Sequence, residues 1–286
     1  MSKLKAKDPK SATPSKPKVL IFGKPGVGKT WTSLDFPAVY YIDTEGGADL
    51  GHYTDKLHNS GGAYMGPEDG TLDFDTVIGQ IEALATEKHQ FKTVVIDSIS
   101  KLFNTEIGNE QRRLGEKDTF GASKKKPINK MRQLINWMDK VDMNVILIAH
   151  EKATWVDDKQ GPATFDCWDK LEYELHLCLP INKLGNQRFA KVRKSRLTGF
   201  PDADDLDWSY EEFAKRYGRD VIESAVKVVK LANPETIAEI VRLVSLLKID
   251  QEEVDKWLGK AKVNAFEEMT QDQAQKTADF LNKKLK

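Results

Sequence analysis

The residues Gly23-Lys24-Pro25-Gly26-Val27-Gly28-Lys29-Thr30 have the form G-x-x-x-x-G-K-T, the spacing of a phosphate-binding loop. Such a loop curls its backbone N–H groups round an anion, and a Cβ at the glycines would block that approach. Lys29 is placed to reach the β- and γ-phosphates, and the Thr30 hydroxyl to hold Mg²⁺. A helix opening at Lys29 would turn its positive end toward the phosphates. The chemistry indicated is binding of a nucleoside triphosphate, with ATP and Mg²⁺ as the expected ligands.

Three further groups could act on that ligand. Asp97 ends the apolar run Thr93-Val94-Val95-Ile96, where a second nucleotide motif places a carboxylate that holds Mg²⁺ or its water. Asp43-Thr44-Glu45 is an acidic tip before Gly46-Gly47. Hydrolysis needs a carboxylate to orient or deprotonate water, and Glu45 is the best candidate. His150 ends Asn144-Val145-Ile146-Leu147-Ile148-Ala149. A lone His is more often structural, but strand C-termini are where open α/β sheets build ligand sites.

The elements that must position these groups alternate. Val19-Leu20-Ile21-Phe22 reads as a buried strand before the loop, and the helix from Lys29 is short because Phe36-Pro37 stops it. Strands follow at Val39–Ile42, Thr93–Ser98 and Asn144–His150. Between them, helices run from about Asp73, from Ile99 to about Arg112, and over Ile128–Val141. Gly61 to Gly70 reads as irregular and Glu151 to Lys170 as a long loop. Tyr173–Ile181 alternates as a strand, Lys183–Asn186 as a hairpin turn and Arg188–Arg193 as the return. Alternating strands and helices imply a mostly parallel α/β sheet.

From Asp207 the pattern turns helical. Ser209-x-x-Glu212, Asp250-x-x-Glu253 and Thr270-x-x-Gln273 read as capping boxes, Asn233-Pro234 as a helix start and Gly259 as a helix stop. The expected organisation is a basic tail (1–17), an ATPase core (18–206) and a small helical C-terminal domain (207–286). The 286 residues carry no net charge, so any nucleic-acid site must be a local patch. Cys167 and Cys178 form no C-x-x-C and read as reduced thiols. No apolar run suits a membrane span or signal peptide, and a cytoplasmic location is expected.

The phosphate loop, Asp43-Thr44-Glu45, Val94–Ser98, Leu147–His150 and Lys194-x-Arg196 together resemble the RecA-like ATPase core. The short first helix and Asp-Thr-Glu-Gly-Gly are most similar to phage nucleotide-binding proteins, among them Sak-type core-only RecA relatives that anneal or pair single-stranded DNA. The resemblance covers about Lys18 to Pro201. A looser similarity links Ile249–Thr270 to C-terminal modules of phage recombination proteins.

The resemblance implies roles. Glu45 activates water, and His150 senses the γ-phosphate at a position where RecA has glutamine. Lys194 and Arg196 reach the neighbouring subunit's nucleotide in a homo-oligomeric ring or filament. Leu114–Pro127 and Glu151–Lys170 occupy the two DNA-loop positions, with Lys124, Lys125 and Lys126 on phosphates and Trp155 or Phe165 stacked on bases. Single-stranded DNA and a single-strand-binding protein are the implied partners. Two other readings stand beside this one: a helicase-like ring ATPase, and a non-motor scaffold locked by ATP.

Overall fold

The computed structural model describes residues 15–47, 51–69, 72–119, 121–156 and 159–285. The basic tail expected over 1–17 therefore falls largely outside the described residues. The chain forms two compact units, one of residues 1–66, 91–100 and 142–226, the other of 67–90, 101–141 and 227–286.

In chain order the elements begin with β1 (Lys18–Gly23), α1 (Lys29–Ser33), β2 (Val39–Asp43), α2 (Gly51–Asn59), β3 (Ala63–Met65) and α3 (Phe74–Thr86). There follow β4 (Thr93–Asp97), α4 (Ile99–Leu114), α5 (Lys125–Lys140) and β5 (Asn144–Lys152). Next come β6 (Trp155–Val156), β7 (Lys159–Gln160), β8 (Thr164–Phe165), α6 (Leu171–Glu174), β9 (Leu177–Leu184), β10 (Gln187–Lys191), β11 (Lys194–Ser195) and β12 (Asp205–Asp207). The helices α7 (Tyr210–Tyr217), α8 (Arg219–Glu223), α9 (Pro234–Leu246), α10 (Gln251–Ala261) and α11 (Gln271–Leu285) complete the chain.

The first unit is built on one sheet of order β12-β10-β9-β1-β5-β4-β2-β3, with β8 beside β5 and β11 beside β9. The run from β9 through β3 is parallel, and the hairpin β9–β10 with β12 adds an antiparallel edge. This is the mostly parallel α/β architecture expected. Register sets the site: Asp43 lies opposite Asp97, and Gly23 opposite His150. All four therefore reach the same C-terminal edge.

Side chains alternate across a strand. Val19 and Ile21, Val39 and Tyr41, Val95, Ile146 and Ile148, and Leu177 and Leu179 form one buried face. Phe200, Trp208, Phe213, Ala214 and Ile222 pack in the same cluster. Thus α7 and α8, which the sequence reading assigned to the C-terminal domain, belong with the sheet, because their apolar stripe is needed to cover it. Phe213 is fully buried, 5.1 Å from the Phe200 ring and 5.3 Å from the Phe36 ring. Phe213→Ala is expected to cost about 3–5 kcal/mol in urea unfolding. A loss below about 1 kcal/mol would refute α7 as part of this core.

Lys16 is no tail residue. It is 4% exposed, and its Nζ donates to the Ile222 and Ser224 carbonyls at 3.0 and 2.8 Å. Burial lowers its pKa from the ordinary lysine value.

In the second unit, Ile240, Leu243, Val254, Leu258, Ala274 and Leu281 from α9, α10 and α11 form a separate core. Helices α3 and α5 join this unit: Lys140 donates to the Glu268 carbonyl at 3.0 Å, and the Val229 N–H to that of Ala85 at 2.7 Å. The caps expected at Ser209, Asn233 and Asp250 are made, each side chain accepting from an N–H three residues on. Thr270 and Gln273 cap each other reciprocally. Gly259 does not end α10. The helix runs on to Ala261, and Lys262 takes the left-handed turn instead, at φ 56°.

Other departures have local causes. Tyr173 lies in α6 rather than a strand, because pairing with β1 begins at Leu177 opposite Val19. The stretch 61–70, expected to be irregular, contributes β3 beside β2. The loop expected over 151–170 contains short strands, with β5 running on to Lys152, β6 paired to β7 and β8 returning onto β5. Helix α5 starts at Lys125, before the expected Ile128, so Lys125 and Lys126 sit in its first turn.

Candidate active site at the phosphate loop

A cavity of about 540 Å³ opens at the sheet's C-terminal edge, lined among others by Gly26, Lys29, Thr30, Glu45, Asp97 and His150. The loop leaves β1 at Gly23, turns through Lys24, Pro25, Gly26, Val27 and Gly28, and enters α1 at Lys29. Gly26 and Gly28 have φ of 76° and 89°, a region that side chains with a Cβ rarely adopt. At Gly23 a Cβ would stand 2.4 Å from the Ile181 carbonyl oxygen. Lys29 Nζ donates to the carbonyls of Gly23 and Lys24, both at 2.9 Å. Burial lowers its pKa, against the charges of Asp97, Glu45 and Glu151. The ammonium is thus held within its own loop, close to where phosphate oxygens would lie.

Thr30 Oγ1 donates to Asp97 Oδ2 at 2.5 Å, and Tyr41 Oη donates to the same oxygen at 3.1 Å. Burial raises the Asp97 carboxyl to about 6, against the stabilising bonds from Thr30 and Tyr41. Among the described residues no group of three or more His, Cys, Asp or Glu could hold a metal unaided. That donor set fits Mg²⁺, which binds one or two protein oxygens together with substrate phosphates. Thr30 and Asp97 are the residues that would hold it, where it would neutralise phosphate charge.

Asp43 is buried, and its Oδ1 accepts from the backbone N–H groups of Glu45 and Gly46, both at 2.9 Å. This Asx turn aims Glu45. Glu45 Oε1 lies 2.6 Å from His150 Nε2 and accepts a short hydrogen bond from Ser98 Oγ, which is 3.3 Å from the same His150 nitrogen. The His150 backbone N–H donates to Ser100 Oγ at 2.8 Å. The Asp97–Ser98 peptide bond is cis.

The structure therefore brings together the phosphate loop, Glu45, Asp97 and His150, all expected from the sequence. Ser98, Tyr41 and the orienting role of Asp43 were missed. Only the Asp43-to-Glu45 spacing carried a readable signal, that of an Asx turn.

The residues expected to act elsewhere are placed differently. Lys194 Nζ donates to the Leu175 carbonyl and Arg196 Nη2 to the Tyr173 carbonyl, both within this chain. Phe165 is 2% exposed, its ring 5.9 Å from that of Phe22. It is a core residue and does not present a face for stacking. Trp155 is 69% exposed.

Lys126 pairs with Glu110 at 2.9 Å and Glu106 at 3.1 Å, and Arg113 and Lys126 hold the Glu110 carboxyl down at about 2. Its charge is already matched, whereas Lys124 and Lys125 are exposed and make no ion pair among the described residues. Both cysteines are free and buried, and burial pushes each thiol up to about 12. No helix among the described residues is long and apolar enough to cross a membrane.

A family model described as an AAA domain, AAA_24, matches residues 15–197. Among solved structures, the chain is similar to the RadB recombinase at 18% identity and TM-score 0.43, over 68% of this chain and 87% of that one. It is also similar to an ATPase from the type III secretion system of pathogenic bacteria, at 12% identity and TM-score 0.40, over 94% and 81%. No curated protein matches the chain.

Proposed function

Because the chain belongs to the AAA_24 family of AAA domains, we propose that it is a RecA-like P-loop ATPase that binds single-stranded DNA as a homo-oligomer. In this reading it promotes annealing or strand pairing in phage recombination, as a Sak-type relative acting in the host cytoplasm. A single-strand-binding protein would be a natural partner there.

The supporting observation is the contact of Glu45 with His150, and the strand that carries His150. His150 Nε2 sits 2.6 Å from the Glu45 carboxylate. A γ-phosphate offers His150 a stronger anion, so Glu45 is released to take a proton from water. Lys29 and the loop amides hold the transferring phosphate, and Asp97 and Thr30 would hold Mg²⁺, which would neutralise phosphate charge. His150 lies on β5, which ends at Lys152, a few residues before the exposed Trp155 of β6. In this reading Trp155 is the side chain that stacks on a base.

The test is ATP turnover with and without single-stranded DNA, beside annealing of complementary oligonucleotides. Stimulated turnover and faster annealing are expected. Turnover indifferent to DNA, with no DNA retained, would sink the proposal. Unwinding of duplexes would favour the ring-helicase reading, and DNA binding without any turnover the ATP-locked scaffold.

The lysines give a separate prediction. Changing Lys124 and Lys125 to alanine, with Lys126 left in place, should weaken single-stranded DNA binding. It should also flatten the slope of log K against log salt by about 1.4, since each lost phosphate contact removes about 0.7. An unchanged slope would mean that both lysines face water only.

A further inference from the structure

A second cavity, of about 270 Å³, flanks the phosphate loop and is lined by Gly26, Gly28, Thr30, Trp31, Tyr53 and Arg188 among others. Arg188 comes from β10, the returning strand of the β9–β10 hairpin. Its side chain lies directly on the loop: a Cβ on Gly28 would stand 2.0 Å from Arg188 Nε and 2.6 Å from its Cδ. Among the described residues, Nε is buried with no hydrogen-bond partner and the guanidinium makes no ion pair. A buried donor on a permanently charged group, left unpaired, is costly. Here it lies against a loop that already carries the Lys29 ammonium and inward-turned amides. A cation so placed lacks an anion.

The geometry points to Arg188 as a nucleotide ligand supplied in cis. Its fork meets the α- and β-phosphate oxygens, on the Thr30–Trp31 side of the loop, away from Glu45 and His150. This rests on the reading of the loop as a nucleotide site. The position decides which phosphates are met. Loop amides cradle the α- and β-phosphates, while Lys29 reaches the β and γ. The cavity lined by Thr30, Trp31 and Tyr53 is thus the nucleoside end. A guanidinium suits this place because its planar fork can bond two oxygens at once and lie flat against aromatic rings. Glycine at 28 then has a second reason beyond its positive φ, since any side chain there would displace Arg188. Because the contact is made below the γ-phosphate, it serves ADP and ATP alike. It also ties the hairpin to occupancy of the site rather than to hydrolysis.

The experiment measures binding of a fluorescent ADP analogue, and of unlabelled ATP by competition, to the full chain. The variants are Arg188→Gln, Arg188→Lys and Lys29→Ala, with circular dichroism as the check on folding. Arg188→Gln keeps much of the stem and a donor but removes the charge. It should weaken ADP and ATP equally, by about 10- to 100-fold, the loss expected for a hydrogen bond to a charged group. Arg188→Lys, which keeps the charge without the fork, should fall between. If Arg188→Gln is folded and binds ADP within two-fold of wild type while Lys29→Ala loses binding, the Arg188 inference is overturned and the loop reading stands. If Lys29→Ala also binds both nucleotides as wild type does, the loop reading itself fails. Weakening confined to ATP would place Arg188 at the γ-phosphate and overturn the assignment made here.

Discussion

Lys29→Ala is expected to leave a folded protein with turnover reduced at least 10²–10³-fold, the scale for removing one preorganised donor from a transition state. Among the described residues, Lys29 Nζ bonds only the Gly23 and Lys24 carbonyls of the loop, so its removal takes little from the core. The loss falls on charge developing at the transferring phosphate, where water cannot replace a fixed ammonium. Wild-type turnover in a highly purified preparation would sink the phosphate-loop assignment. The same variant reports on the subunit interface. If Arg196 acts in trans, Arg196→Ala loses turnover but keeps much of its ATP binding. Mixing it with Lys29→Ala then restores some activity, because one interface combines an intact loop with an intact Arg196. Arg196 presently donates to the Tyr173 carbonyl of its own chain, so reaching a neighbour requires that bond to be exchanged. No recovery in mixtures shown to co-assemble would count against action in trans.

Glu45→Gln should separate binding from hydrolysis. The amide keeps the shape and can still meet Ser98 Oγ, but it cannot take a proton and carries no charge for His150. ATP affinity is expected within a few-fold of wild type, and the rate should fall by about 10²–10⁴, the span for loss of a general base. Single-turnover measurements with ATP in excess over Kd would show the loss in the chemical step. Normal hydrolysis in Glu45→Gln would move the base elsewhere. Asp43 would be the next group to test, although its Oδ1 already accepts from two backbone N–H groups.

The phosphate loop, β1, β2, β4 and β5 were legible because each depends on consecutive residues. A backbone cradle needs glycines at fixed spacing, and a strand buried on both faces needs an unbroken apolar run. The helix caps at Ser209, Asn233 and Asp250 were legible for the same reason, since each bond spans three residues. Gly259, read as a helix stop, stays helical within α10. Elsewhere a tertiary contact overrode the local reading. Phe165, which the resemblance placed for stacking on bases, is buried against Phe22. Lys126, one of three consecutive lysines, is set apart by Glu106 and Glu110, which α4 presents from elsewhere in the chain.

The sequence by itself determined the phosphate-loop motif and which carboxylates end the neighbouring strands. Those properties reside in local runs and in the chemistry of the side chains. The tertiary structure alone decided which of these groups meet. The parallel register sets Asp43 opposite Asp97 and Gly23 opposite His150. That alignment lets Thr30 reach Asp97 and Glu45 reach Ser98 and His150, across separations of more than fifty residues. It likewise decided that Arg188, which no motif marks, lies on the backbone of Gly28. No local pattern encodes such pairs, because they follow from strand order and register, which are settled by burying a whole face of the sheet at once.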